Sequence, residues 1–159
     1  MKKTKPLFYI ALILIGITAG ILTRETTRYD FVTSDGREYQ WRELNQSWVV
    51  VNYFAPWCAP CLKEIPELNY FFANTKPDDV RLFGINYDPA DQQQVQALRQ
   101  KYDIRFPVIV AGPDTQLPMR PPPALPATFI IAPDGQVVST LMGEISAKQL
   151  TTTLAQLQQ

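Results

Sequence analysis

The sequence predicts an α/β domain built around a largely buried mixed sheet, and three observations carry that prediction. Trp48-Val49-Val50-Val51-Asn52-Tyr53-Phe54 is an apolar, β-branched run, and the helical pattern of Leu62-Lys63-Glu64-Ile65-Pro66-Glu67-Leu68 follows it closely. A second apolar run, Val80 to Tyr87, comes after that helix. Ala127–Ile131 and Gln136–Met142 then flank Pro133-Asp134-Gly135, which reads as a hairpin. The resulting order is βαβα, a hairpin and a closing helix, with one more hairpin in front.

That front hairpin comprises Tyr29–Thr33 and Glu38–Trp41 around Ser34-Asp35-Gly36, an Asp-Gly turn. Arg42–Gln46 reads as a single helical turn. The first long helix, Ala59 to Asn74, opens with Pro60, where no N–H is required, and Pro66 is expected to kink it. A helix over Asp91–Tyr102 carries Val95, Leu98 and Tyr102 near one face. Phe106–Val110 reads as a short strand, and Ser146 caps a last helix ending near Leu157. Between Gly112 and Pro126 stand six prolines, at 113, 118, 121, 122, 123 and 126. They predict a stiff, extended loop that serves as a connector, as a wall of a substrate groove or as a docking site.

The amino terminus divides from this domain. Residues 1–6 form a basic tail with Lys2, Lys3 and Lys5, and residues 7–23 are an apolar run ended by Arg24. The pattern fits a cleaved signal peptide or an uncleaved signal anchor, and the lack of a convincing small-x-small site favours the anchor. Basic residues ahead of the run keep the tail cytoplasmic. The expectation is a single-pass protein of the inner membrane with its domain, residues 29–159, in the periplasm. The first 28 residues hold five of the 15 basic and one of the 15 acidic side chains, so the exported part is net negative by four. That balance gives no reason to propose nucleic-acid binding.

Chemistry concentrates in Trp57-Cys58-Ala59-Pro60-Cys61, which holds both cysteines of the chain. Two cysteines placed at random over this length would fall three apart in roughly one case in eighty, so the spacing is itself a signal. A helix opening at such a pair points unpaired N–H groups and its positive dipole end at the first sulfur, favouring thiolate. Cys58 is therefore the expected nucleophile and Cys61 the resolving thiol. The chain has no histidine, which removes the commonest general base and metal ligand. Glu64, one helical turn after Cys61, could exchange a proton with it or be a solvated helix carboxylate. Trp57 would form an apolar platform beside Cys58 or belong to the core.

The residues Asn52–Cys61, Glu64-Ile65-Pro66, Leu125–Ile131 and Asp134-Gly135 resemble the thioredoxin superfamily over about residues 29–157. The resemblance is to its membrane-tethered extracytoplasmic branch of TlpA-, ResA- and DsbE-like proteins. It implies a thioredoxin fold with an extra N-terminal hairpin, no cofactor and no metal. It implies catalytic roles for Cys58, Cys61, Glu64 and Pro126, with Pro126 cis and facing the sulfurs. Trp57, Ala59, Pro60 and Leu125 would line the substrate groove. The branch implies a disulfide-bearing exported protein as substrate, apocytochrome c included, and a DsbD- or CcdA-type membrane thiol donor. Asn52 stands where cytoplasmic thioredoxins keep a buried aspartate. Two departures bear on the substrate: Pro121-Pro122-Pro123-Ala124-Leu125 replaces the usual Gly-Val-Pro approach, and Ala127 replaces an acidic residue.

Ala59-Pro60, with no intervening histidine, predicts a reductant rather than an oxidase or isomerase. A different class is a Cu(I) metallochaperone, since thiolates select that soft ion; no Met-x-Met cluster accompanies the pair. A third is an interaction module with an inert disulfide, a poor staple at this short spacing.

Overall fold

The structure, a computed structural model, describes residues 29–76 and 78–159. The expected tail and apolar segment, residues 1–6 and 7–23, lie outside the described residues. Among the described residues no helix is long and apolar enough to cross a membrane.

Seven strands form one mixed sheet: β1 Phe31–Thr33, β2 Glu38–Tyr39, β3 Trp48–Phe54, β4 Val80–Asn86, β5 Val108–Val110, β6 Ala127–Ile131 and β7 Val137–Met142. Their order across the sheet is β2-β1-β5-β4-β3-β6-β7. The helices are α1 Trp41–Leu44, α2 Ala59–Asn74, α3 Gln92–Lys101 and α4 Ala147–Leu157. β3, β4 and β5 are parallel neighbours, whereas β6 runs antiparallel to β3. The crossovers β3-α2-β4 and β4-α3-β5 step the same way across the sheet. Right-handed connections therefore put both helices on one face.

Strand alternation divides the core in two. Val50 and Phe54 of β3 meet Cys61, Ile65 and Leu68 of α2, with Val95 of α3 and Leu150 and Leu154 of α4. Val49, Val51 and Tyr53 face the other way, toward Phe31, Phe83, Ile85 and Phe129. No long helix covers this second face. Leu44 of α1 closes part of it, and Leu117, Met119 and Leu125 of the proline-rich segment pack over the rest. Trp41 pins that segment, its indole N–H donating to the Gln116 carbonyl at 2.7 Å. The Gln116 N–H donates to the Asp30 carbonyl at 2.7 Å, and the Asp30 carboxylate accepts the Trp41 N–H at 2.7 Å. The proline-rich stretch is thus a strap across the sheet.

Two expected boundaries move for identifiable reasons. Trp41 opens α1 rather than ending a strand, because Asp30 takes its N–H at the helix start. The strand expected from Phe106 begins at Val108, because Pro107 has no N–H to donate; its carbonyl instead accepts the Gly84 N–H at 2.8 Å. α2 continues through Pro66 as one helix of 16 residues. Gly84 is required by space. A Cβ there would sit 2.9 Å from Phe106 and 3.2 Å from Val108.

Gly84→Ala should therefore destabilise the domain by about 1–3 kcal/mol through overpacking. A drop in the urea midpoint with an unchanged slope checks this; an unchanged midpoint would show that Phe106 gives way freely.

Candidate active site

β3 ends at Phe54, and four residues later Cys58 stands as the N-cap of α2. Its sulfur accepts the Cys61 N–H at 3.3 Å. The cap is made by a sulfur because the chain must turn sharply from strand to helix, and Pro60 supplies the fixed φ of the first turn. Cys58 and Cys61 are joined in a disulfide. The sequence led to an exposed Cys58, and the structure corrects that for the oxidised state. Cys58 is buried with 5% of its surface accessible, and Cys61 has none. Access is narrow and belongs to Cys58.

Pro126 begins the next part of the site. β6 runs antiparallel to β3 with Ala127 opposite Tyr53, so Pro126 lies at the sheet end where the cysteine motif starts. The Leu125–Pro126 peptide is cis, and the Pro126 carbonyl accepts the Gly143 N–H at 2.8 Å. Among the expected groove residues, Trp57, Ala59 and Pro60 are exposed and Leu125 is half-buried. Trp57 is 65% exposed, which excludes the core role. Its indole N–H donates to Asp88 Oδ2 at 2.7 Å, and its ring meets Tyr87 edge-on at 6.3 Å. Met142, also exposed, is in register with Ala127, directly after the cis-proline.

Glu64 is not a solvated carboxylate: none of its surface is accessible. Oε1 accepts from Asn52 Nδ2 at 2.7 Å, and Oε2 accepts from the Ile145 backbone N–H at 2.9 Å. The same Asn52 amide nitrogen donates to Thr128 Oγ1 at 3.1 Å. Asn52 and Thr128 are cross-strand partners on the helix-facing side of the sheet, both buried. A continuous polar chain therefore links Glu64, one helical turn after Cys61, to the strand that begins at the cis-proline. α2 holds the segment before α4 at two further points. Lys63 pairs with Glu144 at 2.8 Å, an exposed contact of small energetic weight. Glu67 Oε2 accepts the Ala147 N–H at 2.9 Å, capping the start of α4.

Burial pushes the Glu64 carboxyl up to about 7, because the charged form loses its water. The hydrogen bonds from Asn52 and Ile145 oppose the rise, and the nearby Glu144 charge adds to it. The group is thus poised to gain or lose a proton at neutral pH.

Sequence reasoning set Asn52 at the place of a buried aspartate without giving it a part in the site, and it missed Thr128 and the Ile145 N–H. A signal existed for Asn52 and Thr128: each is a polar residue at an inward position of an otherwise apolar strand. Nothing in the sequence marks Asp88 as the partner of Trp57.

Two cysteines three apart and joined in a disulfide, set between a buried strand and a helix start, make this a thiol–disulfide oxidoreductase of the thioredoxin fold. The chain belongs to the AhpC/TSA family, which it matches over residues 24–140. The thiol-disulfide oxidoreductase ResA of Bacillus thuringiensis subsp. konkukian (strain 97-27) is 28% identical, covering 94% of this chain and 95% of its own. ResA of Bacillus subtilis (strain 168) is 27% identical over 76% of this chain and 68% of its own. Among solved structures, StoA from Bacillus subtilis superposes with a TM-score of 0.66 at 21% identity, covering 78% of this chain and 93% of StoA. The pneumococcal exposed lipoprotein thioredoxin Etrx1 from Streptococcus pneumoniae strain TIGR4 gives 0.67 at 21% identity, covering 80% and 98%. These structural likenesses establish the fold.

A carboxyl whose folded pKa lies above its unfolded value near 4.5 holds its proton more tightly when folded. Glu64 therefore favours the folded state most below pH 4.5, and that contribution is lost as pH rises through 7. The loss amounts to about 3 kcal/mol across that window. Glu64→Gln should flatten the decline of stability with pH there, measured by chemical denaturation at several pH values. An unchanged slope would show that Glu64 titrates normally.

Proposed function

We propose that this chain is an extracytoplasmic reductase, tethered by its amino-terminal segment, that reduces disulfides of exported proteins. The observation that carries the reading is the asymmetry of the pair: Cys58 caps the helix and keeps the little surface the pair leaves accessible, while Cys61 is fully buried one helical turn before a buried carboxyl. The names of the relatives support it, as does the absence of histidine between the cysteines.

The reaction starts from the dithiol. The Cys58 thiolate, favoured by the helix N–H groups, attacks one sulfur of a substrate disulfide. The S–S bond breaks, a Cys58–substrate disulfide forms, and the displaced thiolate takes a proton from water. Cys61 gives its proton to the Glu64 carboxylate and attacks the Cys58 sulfur. The second substrate thiolate leaves and is protonated. The substrate gains two electrons and the enzyme becomes the Cys58–Cys61 disulfide, the state in this structure. Asn52 and Ile145 hold Glu64 in place while its charge changes. The cis-proline strand and the rim of Trp57, Tyr87 and Met142 receive an extended, mainly apolar substrate segment. A DsbD- or CcdA-type membrane thiol protein then reduces the disulfide again. Apocytochrome c is among the candidate substrates.

The reduction potential of the Cys58–Cys61 couple tests the direction. A value near that of thioredoxin, about −270 mV, is expected, and one near that of DsbA, about −120 mV, would make the protein an oxidant. With Cys61→Ser, a mixed disulfide through Cys58 should accumulate on a model disulfide substrate. With Glu64→Gln, its resolution should slow by roughly 100-fold while the first attack is retained. Equal slowing of both steps would sink the role of Glu64.

A further inference from the structure

A notch in the sheet lies away from the cysteines. β5 pairs with β4 only at Gly84 and Ile85, so among the described residues no strand pairs with the first half of β4 on that side. Because the Gly84 N–H points toward Pro107, Leu82, two residues earlier, presents its own N–H and C=O to the same side, past the end of β5. The opening is a cavity of about 130 Å³. Phe71 and Phe72 of α2 wall it on one face of the sheet, and Tyr39 and Phe83 on the other. Two guanidinium groups line it. Arg37 is already paired with Asp35 at 3.4 Å. Arg81 is half-buried, makes no ion pair or side-chain hydrogen bond among the described residues, and leaves its buried Nε without a partner.

These features ask for one ligand chemistry: an apolar side chain for the aromatic walls, an amide for the free edge of Leu82, and a carboxylate for Arg81. Arginine binds carboxylate through two parallel hydrogen bonds that a neutral group does not match, and the aromatic walls favour an anion that carries an apolar side chain over a free phosphate. An extended chain end combines all three groups, adding a short strand to the free edge as it binds. We propose that this notch captures the carboxyl-terminal residue of a peptide or protein, of aromatic or branched apolar type, through Arg81 and Leu82. The site is separate from the thiol chemistry. It would give the protein a second hold on a partner while the cysteines act elsewhere.

The test is a nitrogen-15 NMR titration of the full-length chain with N-acetyl-L-phenylalanine, its carboxamide and 3-phenylpropanoate. N-acetyl-L-phenylalanine should shift the Leu82 amide saturably. The carboxamide should bind about tenfold more weakly, a difference of roughly 1.4 kcal/mol. The phenylpropanoate, lacking the amide, should also bind more weakly. Arg81→Met should reduce the acid to the level of the carboxamide while disulfide reduction continues, which reports that the variant is folded; Arg81→Gln serves if it is not. No saturable shift at Leu82, or equal binding of acid and carboxamide, overturns the proposal. Phenylpropanoate binding as tightly as the acetylated residue would replace the chain end with a free carboxylic acid.

Discussion

The buried Glu64 carboxyl is the constraint on which the arrangement around the cysteines depends. A carboxyl removed from water must keep hydrogen-bond partners or strongly favour its neutral form. Here β3 supplies one donor through Asn52, and the segment before α4 supplies another through Ile145. Meeting those two demands fixes how α2 sits on the sheet and how the chain returns from β7 to α4. That return also carries the Gly143 N–H, which holds the cis-proline carbonyl. The proton site, the cysteine helix and the cis-proline strand are consequently parts of one hydrogen-bonded unit. Asparagine suits this position because it donates to both Glu64 and Thr128 without itself titrating.

The two faces of the sheet are finished by different means. One is covered by three helices, two of them placed there by the parallel crossovers that run in the same direction. The other is closed by a short helix and a proline-rich strap, tied by Trp41 to Asp30 and Gln116. Proline lowers the entropy lost when a strap of this kind is ordered, and it removes N–H groups that would otherwise need partners. Leu125 packs against both cores, so the strap is joined mechanically to the cis-proline that follows it. The departure from the usual approach to that proline is therefore a solution to covering the sheet as well as a change beside the groove.

Much of the fold was legible because its strongest signals are periodic or local. β3 as a continuous apolar run, α2 between Cys58 and Asn74, α3 after Asp91 and α4 after Ser146 all follow from alternation, helical spacing and capping residues. The cysteine spacing and the family-like stretch around Pro126 pointed to one end of the sheet. What was not legible depends on tertiary neighbours. Whether Glu64 is solvated or buried cannot be read from its helix position, because α2's own spacing leaves open what Ile145 and Asn52 do. Trp57 could have been core or surface until Asp88, 31 residues away in sequence, proved to hold its indole at the rim. The end of β5 turns on Pro107 facing Gly84, a pairing with no local signature.

The central claim is that the buried carboxyl one helical turn after Cys61 exchanges protons at neutral pH. The most direct measurement is a carbon-13 NMR titration of the Glu64 side-chain carboxyl in the oxidised protein, assigned by comparison with Glu64→Gln. The account predicts a midpoint of about 7. A midpoint near the ordinary value of 4.5 would mean that water reaches Glu64, and that the proton of Cys61 goes elsewhere.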